Sequence, residues 1–144
     1  MTHIAEVRIL LPGVRVMSKA AWSLFVFGIY LVALGLFLLI APNTLITLFG
    51  LPETGDVWIR VAGMLVFLLS YYAIQAGRHE VTEFMRWSVV ARSAVILFFA
   101  GFVLADLVKP ILLLFGGVDL AAAVWTHLAL RSDAKRIHNK GAEG

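Results

Sequence analysis

The sequence predicts an all-α integral membrane protein, a four-helix transmembrane bundle, and three observations carry that expectation. Hydrophobic residues make up 61% of the chain and charged residues 15%, an apolar share well above the roughly 45–50% of water-soluble domains; mean hydropathy is +0.93. Four apolar stretches, each about 20 residues and so able to cross a hydrocarbon core about 30 Å thick, use up most of the 144 residues. Most of the charges fall at the ends of these stretches. A soluble globule is excluded, and residues 1–144 read as a single membrane domain. With no cysteine, a disulfide framework, a thiolate metal site and a thiol redox relay are excluded as well.

The first span is residues 20–40, which carry no charge. Arg8, Arg15 and Lys19 precede it and no small-residue cleavage site follows, so it reads as a retained helix and not as a cleaved leader. Pro42 and Asn43 end it, and TLITLFGLP is a short interfacial segment, too brief to cross. The second span is residues 57–77. After a polar loop, Thr82 is the expected N-cap of the third span, with Glu83 in a first turn that favours a carboxylate. That span covers residues 84–108. Lys109 and Pro110 form a short turn with proline opening the fourth helix, where its missing N–H costs nothing. The fourth span is residues 110–130, and residues 131–144 form a flexible basic tail.

Lysine and arginine near span ends stay on the cytoplasmic side. With both termini cytoplasmic, that side collects Arg8, Arg15, Lys19, Arg78, Arg86, Arg131, Lys135, Arg136 and Lys140, and the outer side holds Lys109. The same distribution accounts for the pI of 9.6 without nucleic acid as a partner, and gives the tail an attraction to anionic lipid. Gly28 and Gly35, seven residues apart, and the pairs Ala73/Gly77, Gly101/Ala105 and Gly117/Ala121 predict close helix contacts. Such contacts serve the bundle itself, a homo-oligomer or a membrane partner protein.

Two charges fall deep within spans. Arg92 is about 12 Å into the third and Asp119 about 16 Å above the inner end of the fourth, at 1.5 Å per residue. Either one unpaired at mid-membrane costs about 2.5–3.5 kcal/mol on insertion scales, so they are expected to pair inside the bundle. Tyr71 lies at similar depth and Ser88 is one turn from Arg92, while Gly116, Asp119, Ala123, Thr126 and His127 form a small or polar stripe on the fourth span. Tyr71, Arg92, Asp119, Ser88, Thr126 and His127 are therefore the candidate cluster. It is either a buried tie that fixes helix register or a site for a ligand, ion or proton.

Arg60 and Asp106, near the outer ends of spans two and three, form an outer polar pair, or Arg60 marks the mouth of a polar cavity. Trp22, Trp58, Trp87, Trp125, Tyr30 and Tyr72 read as interfacial anchors, with Trp87 and Trp125 alternatively walling a pocket. A lone His127 cannot supply bis-histidine haem ligation. His79, Glu80 and Glu83 are a solvated charge run lacking the second histidine of a zinc-binding helix. The pentapeptide LPETG at 51–55 looks like a sortase recognition signal, but three spans follow it and it reads as a loop. No metal, haem or disulfide is expected.

The short apolar loop ending in FGLP, the arginine opening span two (WIRVAG), the arginine inside span three (WSVVAR) and the aspartate inside span four (GGVDLAAAVWTH) together resemble the small four-helix DoxX-like membrane proteins and related bacterial families. The resemblance covers most of residues 20–130. It implies a bacterial inner-membrane location, often as an accessory to a redox or stress system. The expected function is a non-catalytic accessory subunit or a binder of a lipid-like or quinone-like molecule in a polar pocket of the bundle. The alternatives are an oligomeric proton-coupled small-solute transporter, with Asp119 titrating beside Arg92, and a membrane-embedded enzyme on an apolar substrate, with Asp119 or His127 as acid or base.

Overall fold

A computed structural model describes residues 17–142, so Arg8 and Arg15 of the basic N-terminal segment lie outside the described residues. Among the described residues five helices follow one another: α1 (Lys19–Ile40), α2 (Pro42–Leu48), α3 (Trp58–Arg78), α4 (Thr82–Leu104) and α5 (Leu112–Ala142). Four of them, α1, α3, α4 and α5, are long and apolar enough to cross a membrane; α2 is the short segment expected after the first span. Their packing is that of a membrane bundle. Large apolar side chains such as Leu68 on α3, Val90 and Leu97 on α4, and Leu114 and Leu128 on α5 face outward, whereas alanines dominate the core.

The start of α1, the α3–α4 corner and the end of the α5 span lie at one end of the bundle, called here the near end; α2 and the α4–α5 turn lie at the far end. Lys19 begins α1 because Ser18 is extended and its Oγ accepts the Ala21 N–H at 3.2 Å. Two further free N–H groups of this first turn are met from other elements: Ser18 donates to Glu80 Oε1 at 2.6 Å and Ala20 to Asp133 Oδ2 at 3.0 Å.

Along α1 and α3, small residues recur every seven positions: Ala21, Gly28 and Gly35 on one helix, and Gly63, Ser70 and Gly77 on the other, all buried. A Cβ at Gly35 would fall 2.7 Å from the Phe67 backbone nitrogen, and one at Gly63 would fall 3.1 Å from the Gly35 carbonyl oxygen. The two backbones are in contact, which in a bilayer maximises packing where no hydrophobic force draws helices together. Helix α4 packs along α5, where Gly116 admits Ile96 and Phe99. Helices α1 and α5 also pack together, while α4 touches α1 and α3 little. The spatial order is therefore α3, α1, α5, α4. Chain neighbours α3 and α4 diverge from their corner.

Several boundaries differ from the sequence expectation. Helix α4 ends at Leu104, short of residue 108, because Asp106 is left-handed (φ 54°) and the Asp106 and Leu107 N–H groups bond back to Val103 and Phe102. Glu80, also at φ 54°, closes α3 in the same way, through bonds from Glu80 to Gly77 and from Val81 to Ala76. That turn runs straight into α4, so Val81 takes the N-cap place and Thr82 is already helical, without a side-chain cap. Pro110 stands in the tight turn before α5 and not within it. The tail expected to be flexible is helical as far as Ala142; Ala134, Lys135 and Arg136 are good helix formers, and Asp133 is anchored on α1. At the far end, Lys109 donates its N–H to Phe49 at 3.0 Å, and Phe49 meets Phe115 edge-on at 5.1 Å, which seats α2 against the α4–α5 turn.

Candidate functional site

Arg92 is 5% exposed. Helical side chains lean toward the N-terminus of their own helix, and the guanidinium accordingly runs toward the near end. Its Nε donates to the Ser88 carbonyl at 3.2 Å, and its Nη2 donates to Ser88 Oγ at 3.3 Å and to Thr126 Oγ1 at 2.8 Å. Thr126 also accepts from Ser23 Oγ at 2.9 Å and donates to the Ala122 carbonyl at 3.0 Å. Thus α4, α5 and α1 are joined through one buried polar chain of Arg92, Thr126 and Ser23. The Phe27 ring lies 4.4 Å from the guanidinium carbon, a cation–π contact. The Arg92 Nη1 is buried with no hydrogen-bond partner.

The expected ion pair between Arg92 and Asp119 is not formed. Among the described residues the ion pair found is Arg86 with Glu83, at 3.2 Å on the surface of α4. Asp119 is seven residues before Thr126 on α5, two turns or roughly 10 Å farther from the near end, and Arg92 has turned the other way. Asp119 is half-buried; its charge is felt by Arg92 and by Tyr30, which is half-buried on α1. Tyr71 does not join the cluster: it is 60% exposed and stands edge-on to Tyr72. The buried row of α3 runs through Ser70, and the next residue lies about 100° round the helix. Tyr30 is thus the tyrosine within electrostatic range of Asp119. Its signal in the sequence was its place in the middle of a span, where an interfacial anchor has no interface to reach.

Ser88 and Thr126 are hydrogen-bonded to Arg92, and Gly116 and Ala123 are buried on the same side of α5, but His127 is exposed. Arg60 and Asp106 do not pair. Arg60 Nη1 donates to the Leu39 carbonyl, binding α3 to the end of α1, while Asp106 is exposed in the cap of the diverging α4. Ala73 and Gly77 serve the α1–α3 contact; Gly101 and Gly117 have open space where a Cβ would stand. Among the described residues, no three histidine, aspartate or glutamate side chains converge to hold a metal ion.

Beside Arg92, the divergence of α3 and α4 leaves a lateral groove of about 250 Å³. Leu24, Phe27 and Leu31 of α1 floor it, Leu69 and Ala73 form one wall, and Phe84, Trp87, Ser88, Ala91 and Arg92 form the other. The lining is apolar apart from Ser88 and Arg92. Trp87 and Ser88 therefore belong to a pocket, and that pocket lies between α3 and α4, away from Asp119. Such a groove takes an elongated apolar molecule from the side, with a cation at one wall.

Comparison with protein-family models, curated proteins and solved structures finds no match to this chain. The class that fold and site define is a helical membrane protein with, among the described residues, four helices able to cross a membrane and a buried arginine beside a lateral groove.

Proposed function

We propose that this protein is a non-catalytic binder of one lipid-like molecule, held in the groove between α3 and α4. The observation that carries the reading is the groove itself, apolar along its length, open between two helices that diverge, and bounded by a buried arginine with an unused donor. A bilayer presents amphiphiles from the side, and this opening is a lateral one. At about 250 Å³ it lies below the roughly 300–1,000 Å³ of sites for drug-sized ligands, a size suited to one chain and not two. The near end carries Lys19, Arg78, Arg86, Arg131, Lys135 and Arg136 against Arg60 and Lys109 at the far end, which supports a cytoplasmic near end and, with it, the N-in, C-in orientation proposed here. The groove then serves the cytoplasmic leaflet. A bacterial inner membrane is proposed with it, on the DoxX-like resemblance alone.

Native mass spectrometry in mild detergent tests the reading. Ala91 lines the groove and is exposed, so Ala91→Phe fills the groove without disturbing helix packing. Wild type is expected to carry one small amphiphile that Ala91→Phe lacks at equal helicity and oligomeric state. An empty wild type, or an adduct retained by Ala91→Phe, overturns it.

A further inference from the structure

Resting on that reading, we infer that the occupant of the groove is a single-chain anionic amphiphile whose carboxylate or phosphate head is held by Arg92 Nη1. Every group that Arg92 bonds is uncharged: the Ser88 carbonyl, the Ser88 hydroxyl and the Thr126 hydroxyl. No carboxylate of the described residues lies within ion-pair distance. A buried guanidinium inside a membrane bundle normally meets a counter-charge, and none of the described residues supplies one in contact. At the same time Nη1 has no acceptor, although a guanidinium is built to offer donors in a fork that matches an oxyanion. The donor lacks an acceptor and the charge lacks an anion in contact, Asp119 acting on it only from a distance.

The groove is where an anion can come from. Phe27 and Ser88 each border both the guanidinium and the groove, Phe27 by stacking and Ser88 by hydrogen bonding. Phe27 both stacks on the guanidinium and lines the groove, so a head group that reaches Nη1 exchanges cation–π contact for a charge-assisted hydrogen bond. The head group then lies among Arg92 and Ser88, and the chain follows the apolar walls past Leu69 and Leu31. A neutral head, such as a quinone carbonyl or an alcohol, satisfies the donor and leaves the charge with no anion in contact. An anionic head satisfies both.

The test uses the full-length protein in zwitterionic phosphatidylcholine nanodiscs, with palmitic acid, palmityl alcohol and phosphatidylglycerol as probes. Palmitic acid at neutral pH is expected to bind about tenfold or more tightly than palmityl alcohol, the step set by a hydrogen bond to a charged group. Arg92→Lys should keep that preference and Arg92→Gln should abolish it, while Ala91→Phe removes binding of both. The comparison of acid with alcohol on wild type stands even if Arg92→Gln fails to fold. Equal affinities for acid and alcohol, both lost in Ala91→Phe, overturn the anionic head and leave the groove reading intact. Displacement of palmitic acid by equimolar phosphatidylglycerol overturns the single chain. Binding of neither probe, or binding untouched by Ala91→Phe, overturns this inference together with the groove reading on which it rests.

Discussion

Arg92 donates to Thr126 at 2.8 Å and so joins α4 to α5 inside the bundle, while Asp119, on the same face of α5, is left without an ion-pair partner. The arrangement follows from the direction of the arginine side chain. Toward the near end it finds two hydroxyls and a carbonyl on α4 and α5; toward the far end it would have to run against the lean of its own helix.

This geometry predicts unequal couplings. Thr126→Val keeps the volume and removes the acceptor, and is expected to destabilise the bundle by about 1–2 kcal/mol, the upper part of the range for interhelical hydrogen bonds in membranes. Ser23→Ala should cost less, because Thr126 keeps its bonds to Arg92 and Ala122. In double-mutant cycles read by unfolding in detergent, Arg92 should couple more strongly to Thr126 than to Asp119. A larger coupling to Asp119 would mean that the carboxylate is the partner in the membrane, and the polar chain described above would be wrong.

The spans were legible because a bilayer imposes about 20 apolar residues on any helix that crosses it, and the segment after span one because a helix of seven residues is too short to cross. The ends of helices were less so. Helices α3 and α4 close on left-handed residues, a position usually filled by glycine, but here by Glu80 and Asp106, so no glycine marks either stop. The partner of Arg92 was misassigned for a different reason: depth counted along Cα atoms puts Arg92 and Asp119 within about 4 Å of one another, whereas a long side chain acts several ångströms from its Cα. The α1–α3 seam was half visible. Gly28 and Gly35 stand out in the sequence, but the matching row on α3 alternates glycine with Ser70 and is recognised only when the two helices are laid together.

That seam gives the second prediction. Gly35→Val and Gly63→Val each force a side chain into the backbone or Cβ of the facing helix, at Phe67 and Leu38 respectively, and each is expected to cost about 1–3 kcal/mol or more, as overpacking does. Gly101→Ala and Gly117→Ala meet nothing within 4 Å and should stay within about 0.5 kcal/mol of wild type. Thermal unfolding of the four variants in one detergent distinguishes these cases. If Gly101→Ala or Gly117→Ala proves as harmful as Gly35→Val, those glycines face a second copy or another chain instead of lipid.

The last prediction concerns Glu80, whose left-handed backbone carries a cost of roughly 1–2 kcal/mol for any residue with a Cβ. What that conformation gains is position: it delivers the carboxylate to the Ser18 N–H at 2.6 Å, so the α3–α4 corner caps the start of α1 much as Asp133 does from α5. Glu80→Gly removes both the backbone cost and the carboxylate, and should leave global stability close to wild type. Glu80→Ala keeps the cost and loses the bond, and should be the more destabilised of the two by about 1–2 kcal/mol, the backbone cost that glycine escapes. In both variants the Ser18 amide should exchange with deuterium faster than in wild type, while the Ala21 amide, held by the Ser18 side chain, keeps its protection. Equal stability of Glu80→Gly and Glu80→Ala would show that the corner relaxes out of the left-handed region once the carboxylate is gone, and that the bond to Ser18 is what holds it there.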